Sequence, residues 1–191
     1  MIIGLDLDDV LFDFTPGLHA YHNRFYDTSF ELEDFKQNLA EMWGCSKEEE
    51  RKRVFDFYGS QEHWDSLPVF GAVEGINNLR QYHDITIITA KPEALKDKTL
   101  EWLGRHFPQT FEQIHFTNQY HGSGLRRTKG EVCRGLGISI FVDDFIHNAE
   151  DVANAGIRTL LFDAPWNQGE INPLVTRVYS WDEITDILNK Q

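Results

Sequence analysis

The sequence predicts an α/β protein: a three-layer, Rossmann-like core with a mostly parallel sheet, and a small helical cap inserted after the first strand. Short apolar, β-branched runs alternate with amphipathic helical segments along most of the chain, which is typical of βαβ units. Residues 15–67 differ, because they are polar and aromatic with helical spacing. The length of 191 residues allows one full domain with a small insertion.

The first strand is predicted at the N-terminus, where residues 1–9 run from apolar side chains into acids. Within the insertion, Leu18, Tyr21, His22 and Phe25 follow the i, i+3, i+4, i+7 pattern of a helix. Residues 46–49 read Ser-Lys-Glu-Glu, a capping box that opens a second helix through about residue 58. We therefore assign residues 1–14 and 68–191 to the core and residues 15–67 to the cap.

Strands and helices continue to alternate after Pro68. Four further strands are predicted from β-branched apolar runs: Ile85–Thr89, Ile114–Thr117, Ile138–Val142 and Ile157–Phe162. Helices are predicted between them from apolar spacing and end signals: one containing Val73, Ile76 and Leu79, one from Pro92 to about His106, one capped by Thr128, and one from about Asn148 to Ala155. This order predicts helices on both faces of the sheet.

Composition excludes several classes of function. With 18 basic and 31 acidic side chains the net charge is −13, so we expect no binding to a nucleic-acid polymer or an anionic membrane surface. No apolar stretch approaches the roughly 20 residues of a spanning helix, and residues 1–6 lack the basic-then-apolar pattern of a leader, so we expect neither a membrane span nor a signal peptide. Cys45 and Cys133 form no CxxC pair, so we expect neither a disulfide framework nor a zinc site. The same cysteine usage leads us to expect a cytoplasmic location.

Acidic side chains follow two of the predicted strands. Asp6, Asp8 and Asp9 end the first strand, and Asp143 and Asp144 end the strand at Val142. Ligands of open parallel sheets bind beyond the carboxyl ends of the strands, so neighbouring strands would bring these carboxylates together. Like charges so close need a cation, and Mg²⁺ prefers oxygen ligands together with a substrate phosphate. For any single Asp, the alternative is helix capping or a solvated loop.

Two further residues favour a phosphate site. Thr89 ends another predicted strand, where its hydroxyl and the following backbone N–H groups can bind an anion. Lys129 lies in the first turn of a predicted helix, whose N-terminal N–H groups also attract phosphate. Each signal alone is weak, and their weight comes from their order along the chain.

These residues resemble the four ordered motifs of the haloacid dehalogenase-like hydrolases. Asp6-Leu-Asp8, Thr89, Lys129 and Asp143-Asp144 follow one another with room for a cap after the first motif. Three segments resemble more narrowly the 5'(3')-deoxyribonucleotidase branch, the cytosolic type C 5'-nucleotidases and their bacterial relatives: residues 6–14, 67–74 and 179–182.

The resemblance implies a Mg²⁺-dependent phosphomonoesterase that forms an aspartyl-phosphate intermediate. Asp6 would be the nucleophile and Asp8 the general acid and base. Mg²⁺ would be held by Asp6, the backbone carbonyl of Asp8, Asp143 and, through a water, Asp144. Phosphoryl oxygens would be bound by Thr89, Ala90 and Lys129.

The substrate implied by the resemblance is a small phosphomonoester, a nucleoside monophosphate in the first place. Phe14 would stack on the base, and Trp43 and Trp64 would complete an aromatic slot or else pack the core of the cap. Thr89 is followed by Ala-Lys-Pro where this branch has Ser-Pro, and Phe145 stands where Arg is common. The departures leave a non-nucleotide phosphorylated metabolite open as the substrate.

Two questions stay open at this stage. A non-catalytic phosphoacceptor or regulatory domain also combines acids, Thr and Lys at strand ends, but the order of motifs in receiver domains differs from the order found here. The oligomeric state, monomer or homodimer, is not determined by the sequence.

Overall fold

The computed structural model describes residues 1–36, 38–111, 113–119 and 126–190. Its centre is a parallel sheet with strand order β3-β2-β1-β4-β5-β6. The strands are β1 (Ile2–Leu5), β2 (Asp84–Thr89), β3 (Ile114–Phe116), β4 (Ile140–Asp143), β5 (Arg158–Phe162) and β6 (Val175–Val178). The predicted Rossmann-like fold class is confirmed. All strands are parallel, and the order in which the chain adds strands switches from one side of β1 to the other between β3 and β4.

Helices precede, connect and follow these strands. Those of the described residues are α1 (Phe14–Phe25), α2 (Leu39–Met42), α3 (Lys47–Gly59), α4 (Gln61–Trp64), α5 (Ala72–Leu79), α6 (Lys96–His106), α7 (Lys129–Leu136), α8 (Ile146–Asn154) and α9 (Trp181–Leu188). The first four lie between β1 and β2, in the segment where the sequence predicts the cap. The boundaries of the cap, 15–67, stay a prediction.

Alternation along the strands produces three layers. Ile87, Ile140 and Val142 pack in a cluster with residues of α5, α6 and α9, whereas Ile88 and Phe141 pack with residues of α7 and α8. Successive strand residues point to opposite faces of a sheet. The two groups of helices therefore cover opposite faces, and the sheet is buried between them.

Local signals place most helix starts as predicted. The Ser46 side chain accepts a hydrogen bond from the Glu49 backbone N–H at the start of α3. Thr128 forms a full capping box with Glu131 at the start of α7. The segment after Pro92 differs: a 3-10 turn comes first, and α6 begins only at Lys96. The Ser46 and Thr128 caps satisfy backbone N–H groups that the first turns of α3 and α7 leave without intrahelical partners.

The first helix begins earlier than the sequence indicates. The predicted helical pattern starts at Leu18, whereas the helix starts at Phe14 and its first turn includes Thr15-Pro-Gly. Proline is tolerated there because the first helical N–H groups need no intrahelical acceptor. Asp9, with φ of 54°, accepts hydrogen bonds from the backbone N–H groups of Phe14 and Thr15 and from the Thr15 hydroxyl. This carboxylate therefore ties the end of β1 to the start of α1.

The last strand and helix are absent from the sequence-based prediction. Strand β6 extends the sheet at its edge, and α9 packs against α5. Trp181 of α9 is buried and donates its indole N–H to the Val10 carbonyl. The close approach of α5 and α9 requires Gly75, where a Cβ atom would lie 2.6 Å from Trp181 Cε3. The C-terminal helix thereby packs against the turn that follows β1.

Candidate active site

The two acidic strand ends meet at the point where the strand order reverses. Strands β1 and β4 are neighbours, and the Asp6 backbone N–H donates to the Val142 carbonyl at 2.8 Å. Asp6, Asp143 and Asp144 are buried, and each offers a carboxylate oxygen within 4.8 Å of the other two. The structure thus brings three of the predicted carboxylates into one cluster.

Lys129 is the buried cation of this cluster. Its ammonium lies 2.8 Å from Asp6 Oδ2 and 2.7 Å from Asp143 Oδ2, and its side chain is fully buried. The other Asp143 oxygen accepts from the Phe145 backbone N–H at 2.8 Å. Lys129 therefore orients two carboxylates at once, a contact that the sequence did not indicate when it assigned this lysine to phosphate.

Burial and mutual repulsion shape the electrostatics of the cluster. Burial raises the pKa of Asp143 to about 7, with Lys129 opposing and Asp6 adding to the shift. Burial also raises the pKa of Asp144 well above its ordinary value, and Asp9 adds repulsion. Burial alone would lower the pKa of Lys129, but Asp143 and Asp6 hold it above its usual range. The single positive charge of Lys129 therefore does not balance the negative charge of the three buried carboxylates.

The cluster fits a divalent cation. Asp6 Oδ1 is buried, and no described residue donates a hydrogen bond to it. Leaving such an oxygen without a partner is unfavourable. Asp144 is held from the other side, because its Oδ2 accepts the Trp166 indole N–H at 2.7 Å and its backbone carbonyl accepts from Asn167. Hard oxygen ligands arranged in this way can hold a metal such as Mg²⁺.

Asp8 pairs with a second buried lysine. Lys91 Nζ lies 2.6 Å from Asp8 Oδ1 and 4.9–5.0 Å from the ring centres of Phe12, Phe14 and Tyr58. Burial raises the pKa of Asp8, and the Lys91 charge opposes that shift. The carboxylate and the aromatic faces together stabilise a cation that would otherwise be costly to bury.

Thr89 and Ala90 lie at the carboxyl end of β2, beside β1. Thr89 is buried, and its hydroxyl accepts a hydrogen bond from the Lys91 backbone N–H. Its carbonyl accepts from the backbone and hydroxyl of Thr117. The Thr89 side chain therefore shapes the turn that leads to Lys91.

A cavity opens between these strand ends and the helices α1–α3. The residues that line it are Asp6, Asp8, Asp9, Phe14, Thr15, Phe35, Leu39, Glu50, Val54, Tyr58, Ala90, Lys91, Asp144, Phe145, Asn148 and Trp166. Its wall is thus acidic on the sheet side and largely apolar and aromatic elsewhere. Of the predicted metal- and phosphate-binding residues, Asp143, Thr89 and Lys129 are buried and are not among these lining residues.

Trp43 and Trp64 are not among the residues that line this cavity, which favours the alternative that they pack the core of the cap. Trp43 stacks on His22, with ring centres 4.2 Å apart and an angle of 13° between the rings. Trp64 donates its indole N–H to the Tyr58 carbonyl at 2.8 Å. Both indoles are used in packing, because helical spacing that faces a substrate looks the same in sequence as spacing that faces a core.

Eleven of the sixteen residues of the cavity wall are missing from the predicted site, among them Lys91, Trp166, Glu50 and Tyr58. Lys91 and Trp166 follow the carboxyl ends of β2 and β5, and their position after a predicted strand is a signal that could have identified them. Glu50 and Tyr58 lie on α3, among charged and aromatic residues. Nothing in the sequence separates these two from the solvated and core residues of the same helix.

The fold has close counterparts among solved structures. A haloacid dehalogenase-like family hydrolase from Streptococcus pneumoniae superposes with a TM-score of 0.71 at 14% identity, over 97% of each chain. The structure of the putative HAD-hydrolase YfnB from Bacillus subtilis bound to magnesium superposes with a TM-score of 0.66 at 19% identity, over 98% of each chain. The fold is therefore that of the haloacid dehalogenase-like hydrolases.

Sequence comparison narrows this class. Residues 1–191 match the family described as 5' nucleotidase, deoxy (pyrimidine), cytosolic type C protein. The chain belongs to this family, and it is an enzyme of the phosphoric monoester hydrolase class. Similar proteins include a putative nucleotidase, YqfW, of Bacillus subtilis, 27% identical over 98% of this chain and 93% of the relative. A 5'(3')-deoxyribonucleotidase of the same organism is 28% identical over 96% and 95%.

Proposed function

We propose that this protein hydrolyses nucleoside monophosphates, 5'(3')-deoxyribonucleotides in the first place, in a Mg²⁺-dependent reaction through a phosphate ester of Asp6. The observation that carries the proposal is the state of the Asp6 carboxylate. One oxygen is held by Lys129, and the other is buried at the cavity without a described hydrogen-bond partner. That oxygen is oriented and free to attack phosphorus.

The reaction divides into two steps. Asp6 Oδ1 attacks the phosphorus atom, the bond from phosphorus to the ester oxygen breaks, and Asp8 gives its proton to the departing alcohol. Asp8 then takes a proton from a water molecule, the resulting oxygen attacks phosphorus, and phosphate leaves Asp6. Burial supports the first role of Asp8, because it raises the pKa of this carboxyl and so favours its protonated form.

Charge compensation divides among the remaining residues. Asp6 through the oxygen that does not attack phosphorus, the Asp8 backbone carbonyl, Asp143 and, through a water, Asp144 would hold Mg²⁺, which when bound would neutralise phosphoryl charge. Lys129 orients Asp6 and Asp143, and its ammonium would also bind a phosphoryl oxygen. The Thr89 hydroxyl and the backbone N–H of Ala90 donate to phosphoryl oxygens as charge develops on them.

Residues 15–67 would act as a cap that selects the alcohol part of the substrate. Phe14 lines the cavity at the start of α1, and its ring lies 5.8 Å from that of Tyr58. These rings offer apolar faces against which a base can stack. Among the described residues, every helix is too short or too polar to span a bilayer. We also propose that the enzyme works in a reducing compartment, the cytoplasm, because Cys45 and Cys133 are free thiols.

Phosphate release from a panel of esters tests the proposal. The panel contains 5'- and 3'-deoxynucleotides, ribonucleotides, sugar phosphates and p-nitrophenyl phosphate, each with Mg²⁺ and with EDTA. We expect Mg²⁺-dependent release that is fastest with deoxynucleotides. Release concentrated on a sugar phosphate would replace the substrate and keep the mechanism.

The Asp6→Asn variant tests the nucleophile. An amide is a poor nucleophile of nearly the same shape, so turnover should be abolished while the fold is retained. Asp186→Asn is the matched control, because Asp186 is exposed on α9 and does not line the cavity. Turnover that persists in Asp6→Asn would overturn the mechanism.

A further inference from the structure

Glu50 is a buried carboxylate on the apolar side of the cavity. Its residue is 8% exposed, and it lines the cavity together with Leu39, Val54 and Tyr58. It does not belong to the group of three carboxylates that can hold a metal. A charged group in such surroundings is costly unless it is paired and hydrogen-bonded. Its presence in this wall therefore requires an explanation that the phosphoryl chemistry does not supply.

Only one of its two oxygens is explained by the protein. Glu50 Oε2 accepts the backbone N–H of Ala40 at 3.0 Å and the ammonium of Lys47 at 2.7 Å. These contacts satisfy the first turn of α2 and balance the charge. No described residue donates to Oε1, so the carboxylate is anchored by one oxygen and keeps a strong acceptor available to a ligand.

The surroundings of Glu50 define what that ligand is. Phe35 and Trp166 line the same cavity and meet edge to face, with ring centres 5.6 Å apart. A flat, apolar group fits against these rings. If that group carries an N–H donor at its edge, the donor can form a hydrogen bond to Glu50 Oε1. Carboxylates accept hydrogen bonds from the exocyclic amino group of cytosine. Uracil and thymine present a carbonyl oxygen at the same place, and two acceptors repel each other.

We propose that Glu50 determines the base specificity of this enzyme, and that its Oε1 accepts the exocyclic amino group of an amino-bearing base. The inference rests on the proposed nucleotidase function. It predicts that dCMP is preferred over dUMP, which has the same ring and differs at this edge. Adenine, which carries an amino group at its corresponding edge, belongs to the same class.

The Glu50→Gln variant should reverse the preference. Ala40 N–H and the Lys47 ammonium are both donors, so the amide oxygen must take the place of Oε2. The amide NH₂ group then occupies the free side, where it donates to a carbonyl oxygen. We expect the ratio of kcat/KM for dCMP to that for dUMP to fall by roughly tenfold or more, and kcat/KM for p-nitrophenyl phosphate, which carries no base, to change by a smaller factor than this ratio.

Glu49→Gln is the matched control. Glu49 lies on the same helix, its side chain is 37% exposed, and it pairs with Arg53 outside the cavity wall. This variant should keep the dCMP to dUMP ratio. An unchanged ratio in Glu50→Gln, or an equal loss with p-nitrophenyl phosphate, would overturn the role of Glu50.

Equilibrium binding separates this inference from the proposed function. Dissociation constants of dCMP and dUMP are measured with the Asp6→Asn protein, with and without Glu50→Gln, so that turnover is not needed. Absence of turnover on every ester would overturn the proposed function, while a dCMP preference that Glu50→Gln reverses would still support the base site. Equal binding of the two nucleotides, or binding of neither, would overturn the inference.

Discussion

Replacing Lys129 with Met tests how the acidic cluster is held together. Lys129 is fully buried and contacts Asp6 and Asp143 at 2.8 and 2.7 Å. Methionine has a similar length and no charge, so the substitution removes the cation without opening a large cavity. The carboxylates that remain are buried and close together.

The magnitude follows from the loss of one partner of a buried ion pair. Such a loss costs about 3–5 kcal/mol because the remaining charge stays buried without compensation. For a chain of 191 residues, each kcal/mol shifts Tm by about 2–4 °C. We therefore expect the Tm of Lys129→Met in EDTA to fall by roughly 6–20 °C, and Mg²⁺ to restore part of the loss.

Thermal unfolding in EDTA and in Mg²⁺ measures the fall in Tm. Urea unfolding under the same conditions measures the loss in the free energy of unfolding. Lys98→Met is the control, because Lys98 is an exposed lysine that lies over the Trp64 ring. In EDTA the deficit of Lys129→Met should shrink as the pH falls from 8 to 5. The folded variant then takes up protons on carboxylates whose pKa is raised, while the unfolded chain stays ionised. A deficit in EDTA below about 1 kcal/mol at pH 8 would refute the reasoning.

Three further predictions concern single side chains. Phe14→Ala should raise KM for deoxynucleotides more than for p-nitrophenyl phosphate, and equal increases would exclude stacking on this ring. His63 is fully buried, and neither ring nitrogen has a partner among the described residues. His63→Phe should therefore raise the free energy of unfolding by about 1–2 kcal/mol. Burial, aided by the charge of Lys91, lowers the pKa of His63, so below about pH 6.5 only the unfolded chain takes up this proton. The wild type should then lose more stability between pH 7 and 5 than His63→Phe, as urea unfolding would show; equal losses would contradict this. Gly75→Ala should lower Tm despite the helix propensity of Ala, because its Cβ would overlap Trp181, and an unchanged Tm would argue against this close packing.

Much of the fold could be predicted from local signals. Hydrophobic periodicity and capping residues report on a few neighbouring positions, and they placed the starts of α3 and α7 correctly. Strand β6 and helix α9 were not predicted. Their pairing depends on distant partners, such as the contact of Trp181 with the Val10 carbonyl, 171 positions away.

The candidate site divides in the same way. The order of acids, Thr and Lys at strand ends is written along the chain, and parallel strands carry their carboxyl ends to one edge of a sheet. The sequence by itself therefore determined the class of chemistry and the group of Asp6, Asp143 and Asp144. The sequence also determined the family resemblance, because the order of the motifs along the chain can be identified without knowing how the segments between them pack.

Only the tertiary structure decided which side chains face the cavity. Helical spacing marks one face of a helix, but it does not say whether that face meets a core or a ligand. The sequence therefore left slot and core positions open for Trp43 and Trp64, and the structure uses both in packing. Lys91, Glu50 and Trp166 instead line the cavity. Their positions follow from contacts between segments far apart in sequence, which no local pattern records.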